Sequence, residues 1–456
     1  MERERLGSRL GFILLSAGCA IGIGNVWKFP WLVGQNGGGI FVLIYLFFLA
    51  VFGVPILTME FSMGRAAQKS PVKLYQQLEK PGTKWHYHGV VAMIANYILM
   101  MFYTTVAGWM LQYFVDTARG KFVGADATKV GELFGNMTAN PGVQTIYMGI
   151  VVVLGFAVCA MGLQNGLERI TKVMMLALMA LIIILAINSI TLDGAAEGLK
   201  FYLVPNIAAM KEIGIVRVIV SAMNQAFFTL SLGIGSMAIF GSYLGKDRAL
   251  MGEAINVSVL DTFVAFTSGL IIFPACSSFG VSVNAGPALI FETLPLVFNH
   301  IPLGRLWGSL FFVFMSFAAL STVFAVFENI MSCTMDLTGW SRKKTAIING
   351  IAMFFLSLPC ILGFNVLSSF EPLAEGKNIM DLEDFIVSNV LLPLGSLIFV
   401  IFCVNKRYGW GFDNFVKEAN EGKGIKVQKW MRGYMTYVLP LIVLVLFIMG
   451  IIDFFK

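Results

Sequence analysis

The sequence predicts an all-α integral membrane protein with two inverted repeats of five helices, in which the first and sixth helices are broken. The first observation is composition: 57% of the 456 residues are hydrophobic and only 13% are charged, about half the charged share of a soluble domain. The second is that apolar runs of about 20 residues, the length that crosses a bilayer, recur along the chain. The third is that Gly-Ile-Gly occurs twice, at Gly22-Ile23-Gly24 and Gly233-Ile234-Gly235, within the first and sixth runs.

Hydropathy defines eleven predicted spans in this chain, whose mean hydropathy is +0.80. Their predicted bounds are 10–33, 40–63, 88–116, 143–162, 167–190, 214–242, 251–280, 303–333, 345–363, 383–405 and 434–454. Two further apolar stretches, 198–213 and 284–300, are short and interrupted by proline, and we expect them to cover the outer face. The spans divide the chain into a first repeat over 1–213, a second over 214–405, and a basic loop with the eleventh helix over 406–456.

The distribution of positive charge predicts the orientation. Most of the 32 Lys and Arg fall in segments on the same side as the N-terminus, which the positive-inside rule places in the cytoplasm. This asymmetry explains the net charge of +6 without a nucleic-acid partner. The partner that the composition does require is the lipid bilayer.

Cysteine and histidine give no sign of a disulfide framework or a transition-metal site. The six cysteines fall in or beside apolar spans without paired spacing, and the three histidines are dispersed. No nucleophile, base and orienting group come together in the sequence, so we predict that the protein is not an enzyme.

The paired motifs predict a binding site near the middle of the membrane. The second motif lies five spans after the first, and an odd number of spans per repeat forces the second repeat to run inverted, which is typical of secondary transporters. Gly-x-Gly also permits close helix packing, and for either motif alone that alternative stands. A broken helix exposes N–H groups that attract a carboxylate and carbonyls that suit a hard cation. We therefore expect a carboxylate-bearing substrate beside a monovalent cation, with Asn25, Thr229 and Ser231 as oxygen donors.

Glu60, Asp261, Glu328 and Asp336 are four acidic residues within or just beyond the predicted spans, where ionisable side chains are rare and usually functional. We expect Glu60 to accept hydrogen bonds from N–H groups that a broken helix frees. Asp261 lies deepest and is the strongest candidate for direct ion binding. Asp336, near the cytoplasmic end of its span, fits either a gate or an interfacial position, and Glu328 has no assigned role.

Several motifs resemble those of the neurotransmitter:sodium symporter family, in its bacterial branch. They are Ser8-Arg9-Leu10-Gly11, Gly22-Ile-Gly-Asn-Val-Trp-Lys-Phe-Pro30, Asn36-Gly37-Gly38-Gly39, Pro55-Ile-Leu-Thr-Met-Glu60 and Gln225-Ala-Phe-Phe-Thr-Leu-Ser-Leu-Gly233. The resemblance covers almost the whole chain and implies the LeuT-type fold and sodium-coupled symport by alternating access in a bacterial plasma membrane. It implies a hydrophobic or aromatic L-amino acid as substrate and no obligate protein partner.

The resemblance also implies which residues form the sites. The first of two sodium sites would use Ala20, Asn25, Thr229 and Asp261, together with the substrate carboxylate. The second would use Gly18, Ile21, Ala318, Ser321 and Thr322. The substrate would contact Ala20, Gly22, Gly24, Leu99, Tyr103, Phe228, Thr229, Ser231, Ile234, Thr322 and Val326. Lys28 and Asp384 would form the outer gate, and Arg3 with Asp336, supported by Tyr243, the inner gate.

Two departures from the family pattern concern the substrate and the outer gate. Gly22 stands where amine-transporting relatives have aspartate, which argues for amino acids over amines. Lys28 stands where the family usually has arginine, and lysine lacks the forked guanidinium contact.

A third departure concerns chloride. Asp261 replaces the asparagine of most relatives, and Ala265 replaces a serine of chloride-dependent members, while Tyr45, Gln225 and Thr229 match the rest of the chloride site. Because a fixed carboxylate supplies the negative charge that balances sodium, we expect chloride independence. A further hypothesis is that the proton of Asp261 leaves and returns during the cycle, which would give sodium/proton exchange.

An ion channel and a transport-inactive amino-acid sensor of the same fold are the alternatives. The sequence has no repeated filter motif, which argues against a channel. Residues 406–433 form only a basic loop, which argues against a sensor with a signalling tail.

Overall fold

The computed structural model describes residues 4–280 and 289–454. Their helices are α1 (Arg9–Ala20), α2 (Gly24–Gln35), α3 (Gly39–Ala67), α4 (Pro71–Leu78), α5 (His86–Ala118), α6 (Ala127–Ala139), α7 (Pro141–Ala160), α8 (Leu163–Ile190), α9 (Ala195–Leu203), α10 (Ile207–Ile213), α11 (Ile215–Thr229), α12 (Ser236–Gly241), α13 (Leu250–Ser278), α14 (Leu294–His300), α15 (Gly304–Thr338), α16 (Arg342–Leu362), α17 (Ile379–Val404), α18 (Phe412–Ala419) and α19 (Met431–Ile452).

The predicted all-α membrane architecture is confirmed. Over the described part of the chain, nine helices are long and apolar enough to cross a membrane, and the bent pair α1–α2 brings the number to ten. The remaining predicted span, 214–242, consists of α11 and α12, which are shorter. The division into repeats at 213 and 405 stays a prediction.

The helix ends differ from the predicted bounds because capping, rather than hydropathy, decides where a helix begins. The predicted span 345–363 is one example: α16 already begins at Arg342, where the Ser341 side chain accepts a hydrogen bond from the Lys344 N–H. Such a cap satisfies an N–H group that the helix itself leaves without a partner.

In both broken spans, the helix is interrupted at the Gly-Ile-Gly motif. After Ala20, the chain turns by 55° into α2. Residues 230–235, between α11 and α12, are not helical. Around these breaks α1 packs against α8, α13 and α15, and α5 packs against α15, so both interruptions lie inside the helix bundle.

The short apolar stretch 198–213 does not cross the membrane, as predicted. It forms α9 and α10, and the Tyr202 ring of α9 stacks on Phe273 of α13 with 5.0 Å between centroids. The Tyr202 hydroxyl also donates to the Phe266 carbonyl, at 2.8 Å. The second stretch, 284–300, begins outside the described residues and ends as α14.

A buried arginine connects α3 to α18 at the N-terminal side of the molecule. The Arg65 side chain is fully buried, and its Nε lies 2.6 Å from Oε1 of Glu418. The same guanidinium donates to the backbone carbonyls of Glu418 and Arg248. Both partners are withdrawn from water, so each replaces much of the solvation that the other has lost. The exposed Lys246 ammonium lies farther from the Glu418 carboxylate, at 3.8 Å.

We predict that Arg65→Met lowers the free energy of unfolding by about 3–5 kcal/mol, because the Glu418 carboxylate stays buried without its partner. Chemical denaturation of the purified protein in detergent measures this loss. Arg432→Met is the matched control, since Arg432 and Asp413 form an exposed pair of the kind that contributes at most about 1 kcal/mol. Equal losses in the two variants would contradict the prediction.

Candidate functional site

A narrow cavity lies between the two helix breaks. Its lining residues are Cys19, Ala20, Gly22, Gly24, Leu99, Tyr103, Phe228, Ser231, Ile234, Thr322 and Leu392. Of the predicted substrate contacts, Thr229 and Val326 do not line the cavity, although both are buried. Cys19 and Leu392 line it without having been predicted, because apolar or small residues in apolar spans carry no distinguishing signal.

At the first break, glycine is required for space. The structure gives neither Gly22 nor Gly24 a positive φ. A Cβ at Gly22 would collide with the hydroxyls of Tyr103 and Thr322. The Tyr103 hydroxyl accepts a hydrogen bond from the Ile23 N–H, at 3.0 Å. The polar wall of the cavity therefore consists of two hydroxyl groups facing a helix start.

At the second break, glycine is required for backbone conformation. Gly233 and Gly235 have φ of 90° and 73°, in the left-handed region that only glycine adopts at little cost. The Gly233 N–H donates to Oε1 of the buried Glu60, at 2.6 Å. Glu60 therefore accepts a hydrogen bond from the broken helix, as the sequence led us to expect.

Asn96 of α5 holds the other side of this break. Its Nδ2 donates to the Ile234 carbonyl at 2.8 Å, and its Oδ1 accepts from the Ser236 hydroxyl at 2.9 Å. Asn96 thus bridges the unwound segment and the first residue of α12. The sequence analysis missed it; the available signal was an asparagine in the middle of a long apolar span, where a polar side chain needs a partner.

The proposed first sodium site forms one polar cluster around Asp261. Asn25 Nδ2 lies 2.7 Å from Asp261 Oδ1, and Thr229 Oγ1 lies 2.9 Å from Asp261 Oδ2. The Asn25 side-chain oxygen accepts from the Gly22 N–H at 3.1 Å. All three side chains are at most 1% exposed, and Ala20, the remaining predicted ligand, lines the cavity. A carboxylate, an amide and a hydroxyl are ligands that suit a hard cation.

The proposed second sodium site brings α15 against the end of α1. Ser321 Oγ lies 3.1 Å from the Ile21 carbonyl and 2.9 Å from the Ala318 carbonyl. Thr322 Oγ1 lies 3.3 Å from both the Gly18 and the Ile21 carbonyls. Three carbonyl and two hydroxyl oxygens thus converge, without any full charge, and oxygen-only ligation fits sodium.

At one mouth of the cavity, Lys28 joins three groups. Its Nζ lies 3.2 Å from Asp384 Oδ1 and 3.2 Å from the Ser388 hydroxyl. The same ammonium sits 4.1 Å from the centroid of the Phe228 ring, which lines the cavity. Lysine therefore replaces the missing guanidinium fork with a hydroxyl contact and a cation–π contact.

At the opposite mouth, Glu328 pairs with an arginine that was not predicted. Arg342 Nη1 lies 2.7 Å from Glu328 Oε2, and the Tyr243 hydroxyl donates to Glu328 Oε1 at 2.7 Å. Asp336 Oδ2 accepts from the Ser70 N–H at 2.8 Å. Arg3, the predicted partner of Asp336, lies outside the described residues. Glu328, to which the sequence assigned no role, thus joins Arg342 and Tyr243 at this mouth.

The start of α1 is held at the same mouth by Glu168 of α8. This carboxylate accepts from the Gly7 N–H at 2.7 Å and from the Ser8 hydroxyl at 2.8 Å. Ser8 in turn caps α1 by accepting from the Gly11 N–H. The N-terminal helix is therefore tied to α8 through two short hydrogen bonds.

Comparisons with known proteins agree with one another. A family model described as the sodium:neurotransmitter symporter family matches residues 3–129 and 127–456. An uncharacterized sodium-dependent transporter of Bacillus subtilis, YhdH, is 37% identical over 98% of each chain. An uncharacterized sodium-dependent transporter of Haemophilus influenzae is 30% identical, also over 98% of each chain. The crystal structure of MhsT in complex with L-phenylalanine is similar with a TM-score of 0.88 and 37% identity, covering 98% of this chain and all of that one.

We predict that Asn96→Leu speeds hydrogen exchange in residues 231–239, because the Ile234 carbonyl and the Ser236 hydroxyl lose a buried partner. A lost buried hydrogen bond costs about 1–3 kcal/mol, which corresponds to roughly 5- to 150-fold faster exchange. Exchange followed by mass spectrometry measures the effect. Asn188→Leu on α8, outside the break, serves as the control. Unchanged exchange in Asn96→Leu would mean that the break does not depend on this side chain.

Proposed function

The chain belongs to the sodium:neurotransmitter symporter family, and we propose that it imports hydrophobic or aromatic L-amino acids together with two sodium ions. The protein is a multi-pass, sodium-dependent secondary transporter with the LeuT-type fold, and it is not an enzyme. What is proposed is the substrate class, the number of sodium ions, the residues and the anion requirement.

The observation that carries the substrate proposal is the division of the cavity between the helix breaks. The hydroxyls of Tyr103 and Thr322 lie around Gly22, and the rest of the wall includes the apolar Leu99 and Ile234. A ligand with a carboxylate at one end and an apolar side chain at the other fits this division. The similar protein MhsT was crystallised with L-phenylalanine, which has this form.

The absence of a side chain at Gly22 selects the charged group that can enter. An acidic residue there would pair with an amine but would repel a carboxylate. With glycine, the substrate carboxylate can approach the start of α2, where the partial positive charge of a helix N-terminus lies. The Tyr103 hydroxyl, which already contacts the Ile23 N–H, is within the same polar wall.

Sodium and substrate would be coupled because they share a site. In the proposal, an ion bound by Ala20, Asn25, Thr229 and Asp261 also contacts the substrate carboxylate, so each raises the affinity of the other. A second ion at the Ser321–Thr322 cluster would join α15 to the end of α1. The membrane potential adds about 2.3 kcal/mol per charge per 100 mV to the driving force.

Alternating access requires that each mouth can close and open. We assign the outer closure to Lys28, Asp384 and Phe228. At the inner mouth, Arg3 with Asp336 stays a proposal, now joined by the Arg342–Glu328–Tyr243 group. The orientation assumed is the one that the basic loops predict: a cytoplasmic N-terminus in a bacterial plasma membrane.

Chloride independence follows in this proposal from Asp261. The Thr229 hydroxyl donates to Asp261 and is therefore not available to an anion, while Ala265 offers no hydroxyl. Tyr45 and Gln225 are buried in the same region. The Asp261 carboxylate beside these groups would repel chloride, and it would supply the negative charge that chloride provides in chloride-dependent relatives. A further hypothesis is that Asp261 releases and regains a proton during the transport cycle, which would give sodium/proton exchange.

We predict that purified protein in liposomes accumulates L-phenylalanine when an inward sodium gradient is imposed, and that replacing sodium by choline abolishes uptake. Tryptophan and leucine should compete better than alanine, because the cavity wall is largely apolar. Phenethylamine, which is phenylalanine without its carboxylate, should compete poorly. Radiolabel uptake measures each case, with protein-free liposomes as the control. Uptake indifferent to sodium would overturn the proposal, and equal competition by the amine would overturn the role of Gly22.

We predict that wild-type uptake is unaffected when gluconate replaces chloride, and that Asp261→Asn combined with Ala265→Ser becomes chloride-stimulated. Restoring an anion requirement should let chloride raise the apparent sodium affinity by roughly 5- to 150-fold, the usual range of coupling between two sites. Ala265→Ser alone is the matched control and should stay chloride-independent. Transport by Asp261→Asn that is active and fully chloride-independent would contradict both the charge replacement and the proton hypothesis.

A further inference from the structure

A deep apolar groove runs along the outer surface of the bundle between α7 and α16, away from the transport cavity. It contains about 1260 Å³ of empty space. Its walls are aliphatic and aromatic, with Val153, Ile347, Ile351 and Phe355 exposed along the rims. These residues lie on transmembrane helices, so the medium they face is the hydrocarbon of the bilayer.

Small residues and two aromatic rings give the groove its depth. A Cβ at Gly350 of α16 would lie 3.4 Å from the Phe156 ring, and one at Gly149 of α7 would lie 3.2 Å from the Phe354 ring. Phe156 is fixed from behind, since it stacks on Phe327 of α15 with 4.0 Å between centroids. The groove is therefore a preformed feature of packed helices rather than a gap between loose ones.

The length of the groove matches one leaflet. It extends along α16 from Lys343 to Phe355, which at 1.5 Å per residue is about 18 Å. Half of the bilayer hydrocarbon core is about 15 Å. A single acyl chain that starts at the membrane surface would therefore run the full length of the groove.

Among the described residues that line the groove, the one charged side chain lies at the membrane-surface end. The Lys343 side chain is exposed at this end. The next residue, Lys344, instead stacks its ammonium on Trp340, at 4.3 Å. This end lies on the same side of the membrane as the N-terminus, since Arg342 contacts both Glu4 and the Cys159 carbonyl. A basic side chain at the surface end of an interhelical groove is the arrangement that favours an anionic headgroup.

We infer that the groove between α7 and α16 binds one acyl chain of an anionic phospholipid, whose phosphate contacts Lys343. The apolar wall takes the chain, and the ammonium selects the headgroup. The site is independent of the proposed substrate and sodium sites. It lies one residue from Arg342, which pairs with Glu328 at the inner mouth.

Native mass spectrometry of protein extracted from vesicles of equal parts phosphatidylglycerol and phosphatidylcholine tests this assignment. Wild type should retain one phosphatidylglycerol in preference to phosphatidylcholine. Lys343→Gln should lower that preference by about fivefold, the effect of one basic residue near an anionic surface. Lys344→Gln is the matched control, with the same charge change on the next residue, and should keep the preference.

A second variant tests the apolar part. Ala157→Phe fills the groove from an exposed position and should abolish retention of the lipid, whereas Ala180→Phe on the exposed face of α8 should not. The inference is overturned if both lipids are retained equally in every variant. It is also overturned if Ala157→Phe removes the lipid but Lys343→Gln keeps the same preference for phosphatidylglycerol as wild type. It is also overturned if the spectra show a dimer that Ala157→Phe dissociates, because a second copy of the chain would then occupy the groove.

Discussion

The structure depends on satisfying the backbone groups that two helix breaks leave without partners inside the bundle. No water is available in the bilayer core to replace the lost helical hydrogen bonds, and each group must be bonded by protein or ligand. Glu60 and Asn96 take the N–H and the carbonyl of the second break. At the first break, Gln225 donates to the Gly24 carbonyl at 3.1 Å, and Ser321 donates to Ile21. The side chains around the cavity thus stabilise the two helix breaks in addition to any part they take in binding. The carbonyls near the Ser321–Thr322 cluster converge where a cation would be bound.

The same three residues, Gly-Ile-Gly, serve different physical purposes in the two copies. In the second copy, Gly233 and Gly235 have positive φ, which is costly for residues with a side chain, and a Cβ at either position would also collide with its neighbours. In the first copy, the backbone would tolerate a side chain and the surroundings would not, because Tyr103 and Thr322 occupy its place. Substitution at Gly22 would therefore act on the cavity itself, whereas substitution at Gly233 would act on the path of α11 into α12. Sequence symmetry between the repeats does not carry over into equivalence of roles.

The sequence was sufficient for the helical membrane architecture and for singling out the polar residues that the structure brings together around Asp261. Hydropathy reports burial in lipid directly, and Asn25, Thr229 and Asp261 stand out because polar groups are rare in apolar spans. Hydropathy and local sequence do not predict which side chains contact each other across the helix bundle. Glu328 and Arg342 are 14 residues apart but lie on different helices, and nothing local distinguishes Arg342 from Lys343 beside it. Asn96 does stand out as a polar residue in an apolar span, but its partners in residues 234–236 are set by tertiary packing.

Asp261 decides how far the chemistry of this cavity differs from that of a neutral one. A buried carboxylate needs compensation, and the contacts around it come from neutral donors, an amide and a hydroxyl. Neutral donors offset only part of the cost of burying a charge, so the cluster is most stable when a cation or a proton completes it. A sodium ion bound there would have its charge balanced by protein, and a substrate carboxylate would then add a second negative charge beside the same ion. In this arrangement the bound ion would raise the affinity for the carboxylate, and the carboxylate would raise the affinity for the ion to the same degree.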